Sequence, residues 1–226
     1  MFKNSVKLPY DSIKKLGQTG DIVLFNSKAK WYDYLIELFT CSRISHVGMI
    51  LENPINIDPT LNEGLYLIES CLTTVPDRIN NKRINGVQIN KLDDVLKNYM
   101  NKKNRGKIYY RFLECTRDLA FRDNVKNICQ SVYAKPYDTH IMDWLRAEVY
   151  ITTGDEIGNI EKRHKTDTFW CSALVAYIYV QLGFLKKEIP WTLISPAAFS
   201  INDINYDKLH FIGPCKLMDD TLVTFK

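Results

Sequence analysis

Apolar positions along the chain change their period several times, and those changes predict its elements. Gly20-Asp21 followed by the unbroken apolar run Ile22-Val23-Leu24-Phe25 predicts a turn feeding a buried strand. Over residues 31–40 the apolar side chains stand at 31, 34, 35, 38 and 39, the spacing of one helix face. Two strand-like runs follow, residues 46–51 (HVGMIL) and 65–70 (LYLIES), joined by a polar loop rich in Asn and Pro. Residues 86–89 continue the β region, and residues 92–99 (LDDVLKNY) form a short amphipathic helix.

Residues 107–113 (KIYYRFL) return to strand chemistry. Apolar positions 119, 121, 125, 128, 129 and 132 then predict a helix over 117–133. Residues 138–168 make a long connection with little periodicity, whose one candidate element is a helix around Trp144. The least charged stretch, residues 169–185 (FWCSALVAYIYVQLGFL), predicts a buried core helix that opens at Cys171 and stops near Gly183, a natural C′ residue. A last strand is expected around residues 210–212. A strand-rich centre flanked by helices is an α+β arrangement, and 226 residues suit one domain spanning 1–226.

Composition narrows the function classes. An apolar fraction of 46% and a charged fraction of 25% are those of an ordinary globular chain. A net charge of +4 permits contact with an anionic membrane surface and falls well short of a nucleic-acid-binding signature. Residues 79–107 hold eight basic and two acidic side chains, most simply a solvated face and alternatively an anionic contact. Residues 1–10 lack the apolar core of a signal peptide, so a non-secreted, cytoplasmic protein is expected. The 169–185 stretch is borderline in length for a membrane span and is broken by Gln181 and Gly183, so no transmembrane segment is expected. Cysteines at 41, 71, 115, 129, 171 and 215 form no CxxC pair, which points to reduced thiols rather than a disulfide framework or a zinc site. No metal and no cofactor is expected.

Candidate chemistry centres on Cys171. It follows Asp167-Thr168-Phe169-Trp170, and either Asp167 or Thr168 would cap its helix. A thiol in a first turn sits where the helix dipole and free N–H groups favour the thiolate, the attacking species. The local pattern fits a small residue packing at a helix start equally well.

Four histidines compete as its base: 46, 140, 164 and 210. His46 heads a strand in which alternation puts His46, Gly48 and Ile50 on one face and Val47, Met49 and Leu51 on the other. If residues 65–70 pair with it antiparallel, Glu69 lands beside His46, and its carboxylate can hold the imidazole in one tautomer. A carboxylate between Ile68 and Ser70 otherwise needs some other buried partner. His164 lies seven residues before Cys171, in a charged stretch that reads as exposed loop. His140 and His210 have no acidic or thiol neighbour at a useful spacing. Cys41 and Cys71 flank the His46 and Glu69 region, so either could be the thiol there, though neither begins a helix. Cys115, Cys129 and Cys215 read as structural.

Three segments, Gly20-Asp21-Ile22-Val23-Leu24-Phe25, Ser45-His46-Val47-Gly48-Met49-Ile50 and Trp170-Cys171-Ser172-Ala173-Leu174-Val175, resemble the circularly permuted NlpC-type papain-like superfamily. That group includes bacterial lipid- or peptide-directed hydrolases and relatives of lecithin:retinol acyltransferase. The order of histidine before cysteine matches the permuted branch. Lys135-Pro136-Tyr137-Asp138 resembles the landmark tyrosine beside the catalytic cysteine, and Ser195-Pro196 the serine- or threonine-proline after the cysteine helix. The motifs run in order over roughly residues 17 to 200, and the sequence looks most similar to the poxvirus branch of this group; its richness in Asn, Ile, Lys and Tyr suggests an AT-rich genome.

The resemblance implies a small antiparallel β-barrel or sheet packed against the helix bearing Cys171. It implies that Cys171 attacks a carbonyl, His46 shuttles the proton and Glu69 orients His46. The backbone N–H of Cys171 and the hydroxyl of Tyr137 would stabilise the oxyanion. Lecithin:retinol acyltransferase relatives carry a second histidine in the third position, where this chain has Glu69.

The expected activity is a thiol hydrolase or acyltransferase acting on amide or ester bonds through a thioester, in the host cytoplasm if the protein is viral. A lipid or acyl-amide substrate is preferred over a peptide. The alternative is a catalytically silent module that binds a host lipid or protein. Nucleic-acid binding would rest on the basic run alone and is not expected.

Overall fold

The computed structural model describes residues 6–26, 44–72, 75–100, 106–138, 164–201 and 209–225. The helix expected over 31–40, Cys41, His140 and the helix around Trp144 lie outside those residues.

The apolar run after Gly20-Asp21 becomes a strand, Ile22–Phe25, with all four side chains buried. It is β2, preceded by β1 (Lys7–Pro9) and helix α1 (Tyr10–Leu16). Next come β3 (His46–Glu52), β4 (Leu65–Leu72), β5 (Asn85–Lys91), α2 (Leu92–Met100), β6 (Ile108–Arg111) and β7 (Leu113–Glu114). Helices α3 (Leu119–Val132) and α4 (Cys171–Gln181) follow, and β8 (Lys216–Leu217) and β9 (Thr221–Thr224) close the order.

Seven strands form one sheet in the order β1-β9-β6-β2-β3-β4-β5, antiparallel throughout except for the parallel β1–β9 pair. Alternation divides the core between its two faces. On one face Leu24, Val47, Met49, Ile68 and Val87 pack with the α3 residues Val125 and Cys129 and with α4. On the other, Val23, Phe25, Ile50 and Leu67 pack with Ile13 of α1 and with Leu92, Leu96 and Tyr99 of α2. Helix α4 has no polar stripe and is buried on almost every side, from Cys171 to Val180. Each fully buried Leu or Ile in it, such as Leu174 and Ile178, is worth about 1.5–3 kcal/mol relative to exposure.

The α+β class and the core helix are as the sequence predicts. Of the barrel-or-sheet alternative, the described strands take the sheet: it is open, with β1 and β5 at its edges and no bridge joining them. Helices cover both of its faces, whereas a small closed barrel fills its inside with its own side chains.

Two further expectations are corrected. The expected strand at 210–212 is only an isolated bridge from Phe211 to Leu185. The chain's last true strand is β9, which enters the large sheet beside β6. Neither Asp167 nor Thr168 caps α4, whose N-cap is Trp170 with no side-chain bond. Asp167 instead accepts from the Thr168 N–H, and the Thr168 hydroxyl donates to Asp138. At the other end Gly183 does adopt the left-handed region, at φ 75°.

Candidate active site

The β3–β4 register runs from Met49 opposite Ile68 to Glu52 opposite Leu65. Continued one step, it brings Glu69 level with Gly48, diagonal to His46 on the same side of the sheet. There Glu69 Oε2 lies 2.6 Å from His46 Nε2. The carboxylate side chain is 6% exposed and the imidazole 22%. On its other flank Glu69 faces Gln88 of β5. Gln88 is fully buried, donates to Cys71 Sγ at 2.5 Å and accepts from Asn90 Nδ2 at 3.1 Å. Phe25, opposite His46 in the β2–β3 pair, sets its ring 5.4 Å from the imidazole.

Cys171 arrives from the other side of the sheet. It is the first residue of α4 and 3% exposed. Ser70, the residue after Glu69, donates its hydroxyl to the Phe169 carbonyl at 2.6 Å. Strand β4 thus holds the carboxylate on one face and, through Ser70, the approach to the α4 N-terminus on the other. The Cys171 thiol lies close enough to the His46 ring to act on its charge.

Charge at this imidazole is governed by opposing effects. Burial disfavours the imidazolium. The Cys171 charge and hydrogen bond, followed by the Glu69 hydrogen bond and charge, outweigh it and push the His46 pKa up to about 10. A histidine so placed carries a proton at neutral pH, with the Glu69 carboxylate and the Cys171 side chain as its neighbours.

Tyr137 belongs to a short segment strung between β5 and α4. Its N–H donates to the Asn85 carbonyl at 3.0 Å, and its backbone bridges Phe169 in parallel. The Phe169 N–H in turn donates to the Pro136 carbonyl at 3.1 Å. Gly86 makes this close approach feasible: a Cβ there would stand 2.1 Å from the Lys135 carbonyl oxygen, and its φ is +152°. Of the four residues singled out from the sequence, Glu69 bonds His46 through its side chain, Cys171 stands close enough to act on the charge of that ring, and Tyr137 is tied by its backbone to the approach to α4.

The rivals separate from this site. His164 does not lie in an exposed loop: it is half-buried, edge-on to Trp191 with ring centroids 4.3 Å apart. The charged stretch around it misled because its cover, Trp191, comes from far along the chain. His210 is exposed, Cys129 is fully buried in the core, and Cys71 is engaged by Gln88. Ser70, Gln88 and Asn90 were missed. The last two had a signal, since they occupy alternate positions of a strand on the face that Glu69 shares.

Among the described residues no group of three or more His, Cys, Asp or Glu side chains could hold a metal ion. Among them, too, no helix is long and apolar enough to cross a membrane.

No family model matches the sequence. No curated protein matches it either. Among solved structures, the chain is similar to the crystal structure of the metalloprotein yiiX from Escherichia coli O157:H7, DUF1105, with 20% identity and a TM-score of 0.44 over 72% of this chain. The likeness covers 64% of that protein, so the chain spans less than two thirds of its length.

Proposed function

We propose that the protein is a cysteine hydrolase or acyltransferase of the circularly permuted NlpC-type papain-like kind, cleaving amide or ester bonds through a thioester. One observation carries this reading: a single imidazole, His46, bonds the Glu69 carboxylate and has the Cys171 thiol close enough to act on its charge. The Cys171 thiolate attacks the substrate carbonyl carbon, and the imidazolium of His46 gives its proton to the departing amine or alkoxide. Water or a second acyl acceptor then attacks the thioester as His46 takes up a proton, which returns Cys171 as thiolate. Glu69 keeps the ring oriented and its charge balanced. The Cys171 backbone N–H and the Tyr137 hydroxyl serve as oxyanion donors.

A lipid or acyl-amide substrate suits the chain's many aromatic residues and its basic 79–107 segment better than a peptide does, with an anionic membrane surface as the meeting place. The resemblance to the poxvirus branch supports a setting in the cytoplasm of a host cell. Incubation with lipid amides and peptide amides tests the reading: turnover should vanish in Cys171→Ala, and turnover that survives the substitution overturns it.

A second reading, binding of a host lipid or protein without turnover, draws on the burial of Cys171, which is only 3% exposed. Alkylation decides between the two. Rapid reaction of Cys171 with iodoacetamide at neutral pH supports catalysis, and a rate that follows an ordinary thiol titration supports binding.

A further inference from the structure

Cys115 and Cys215 are free thiols, both half-buried, on chain segments a hundred positions apart. Between them runs the two-stranded β7–β8 ladder, with Leu113 opposite Leu217 and Glu114 opposite Lys216. Continued one residue, that register sets Cys115 directly opposite Cys215. Two observations fix the register independently. The Met218 N–H donates to the Phe112 carbonyl at 2.8 Å, and Lys216 Nζ lies 3.2 Å from Glu114 Oε2.

The parity of the ladder then decides the geometry. Phe112 and Met218 share a backbone hydrogen bond, so Glu114 and Lys216 form the next hydrogen-bonded pair, and Cys115 and Cys215 fall at a non-hydrogen-bonded position. Opposed residues at such a position have Cα atoms about 4.5 Å apart and side chains turned toward each other. A disulfide spans Cα separations of roughly 4.4–6.8 Å. Burial pushes both thiols up while the Arg117 guanidinium opposes it, and the Cys215 sulfur raises Cys115 further.

We infer that Cys115 and Cys215 form a covalent modification site, a dithiol that a small disulfide oxidant closes into a cross-strand disulfide. One protein thiolate attacks the oxidant RSSR, forming a mixed disulfide and releasing RS⁻. The second protein thiolate then attacks the protein sulfur of that mixed disulfide and displaces the other RS⁻. Two protein thiols are thereby oxidised to one disulfide, RSSR is reduced to two RSH, and the thiol protons end on the released thiolates. The closed ring spans residues 115–215 and contains α3, Tyr137 and α4 with Cys171. Oxidation therefore staples the C-terminal β8–β9 region to the body that carries the candidate site, without consuming Cys171.

The test uses the full-length chain incubated with oxidised glutathione, followed by alkylation of the remaining thiols and peptide mapping by mass spectrometry. The expected product is a single cross-linked peptide pair joining Cys115 to Cys215. Its melting temperature should rise by roughly 5–15 °C, because a long loop is closed in the unfolded chain. Cys115→Ser and Cys215→Ser should each abolish the link and the rise. Mapping of the unsubstituted chain keeps the test decisive if a variant folds poorly. Glutathione adducts that persist at either position, unmodified thiols after prolonged exposure, or pairing with a different cysteine would each overturn the inference.

Discussion

The His46 imidazole and the Glu69 carboxylate meet at 2.6 Å across two antiparallel strands, and the thiol at the start of α4 acts on the charge of the same ring. Three elements far apart in sequence thus converge on one titratable group. The Glu69 carboxylate and the Cys171 side chain together favour the imidazolium despite its burial.

Both partners act on the ring in the same direction: the Cys171 side chain and the Glu69 carboxylate each raise the His46 pKa. Ring-proton NMR titration should therefore show the His46 pKa falling in both Cys171→Ser and Glu69→Gln. A value unchanged in either variant would contradict this account.

On the proposed hydrolase reading, the pH dependence of turnover follows from the same shift. A histidine raised to about 10 keeps its proton well above the value near 6.5 usual for free histidine. The proton needed by the leaving group is therefore present at neutral pH and lost only as pH climbs through about 10. The rate profile should descend on the alkaline side near that value, and Glu69→Gln should move the descent toward lower pH. The same variant should lower kcat by about 10²-fold or more, the low end of what a positioned proton-transfer group supplies. A wild-type profile already falling near pH 7 would exclude an imidazolium donor.

Much of this site was legible in the sequence, for identifiable reasons. His46 and Glu69 sit in strands whose period of two fixes the face each side chain takes, so antiparallel pairing alone brings them together. Cys171 was legible because it opens the most apolar helix. What escaped notice depends on long-range packing. β1 has three residues and β8 two, too few to display a period. The cover of His164 comes from Trp191, and the α4 N-terminus is fixed by backbone bonds to the 136–138 segment rather than by a side-chain cap. No local pattern encodes such contacts.

Gly86 offers a test of that backbone arrangement. Its φ of +152° and the 2.1 Å approach of the Lys135 carbonyl to a would-be Cβ leave no room for a side chain. Gly86→Ala should force the 134–138 segment away from β5, taking Tyr137 with it. A loss of about 2–4 kcal/mol in urea unfolding is expected, the range of a substitution that strains backbone and packing together. Activity should fall beyond what the unfolded fraction explains, and wild-type stability in this variant would refute the packing described.

Arg111 presents the sharpest stability question. Its side chain is fully buried and reaches the carbonyls of Met218, Phe199 and Leu217 at 2.6, 2.6 and 3.0 Å. It also pairs with Asp220 at 3.2 Å, and Asp220 accepts from the Ser200 hydroxyl. One guanidinium thereby ties β6 to the segment after α4 and to the β8–β9 turn. Removing one member of a buried ion pair strands the other charge, so Arg111→Met should cost about 3–5 kcal/mol. Adding Asp220→Asn to that variant removes the stranded charge and should recover part of the loss. Urea unfolding of the two single variants and the double variant gives the coupling directly. A double variant as unstable as the sum of the singles would mean that Arg111 acts through its carbonyl bonds alone.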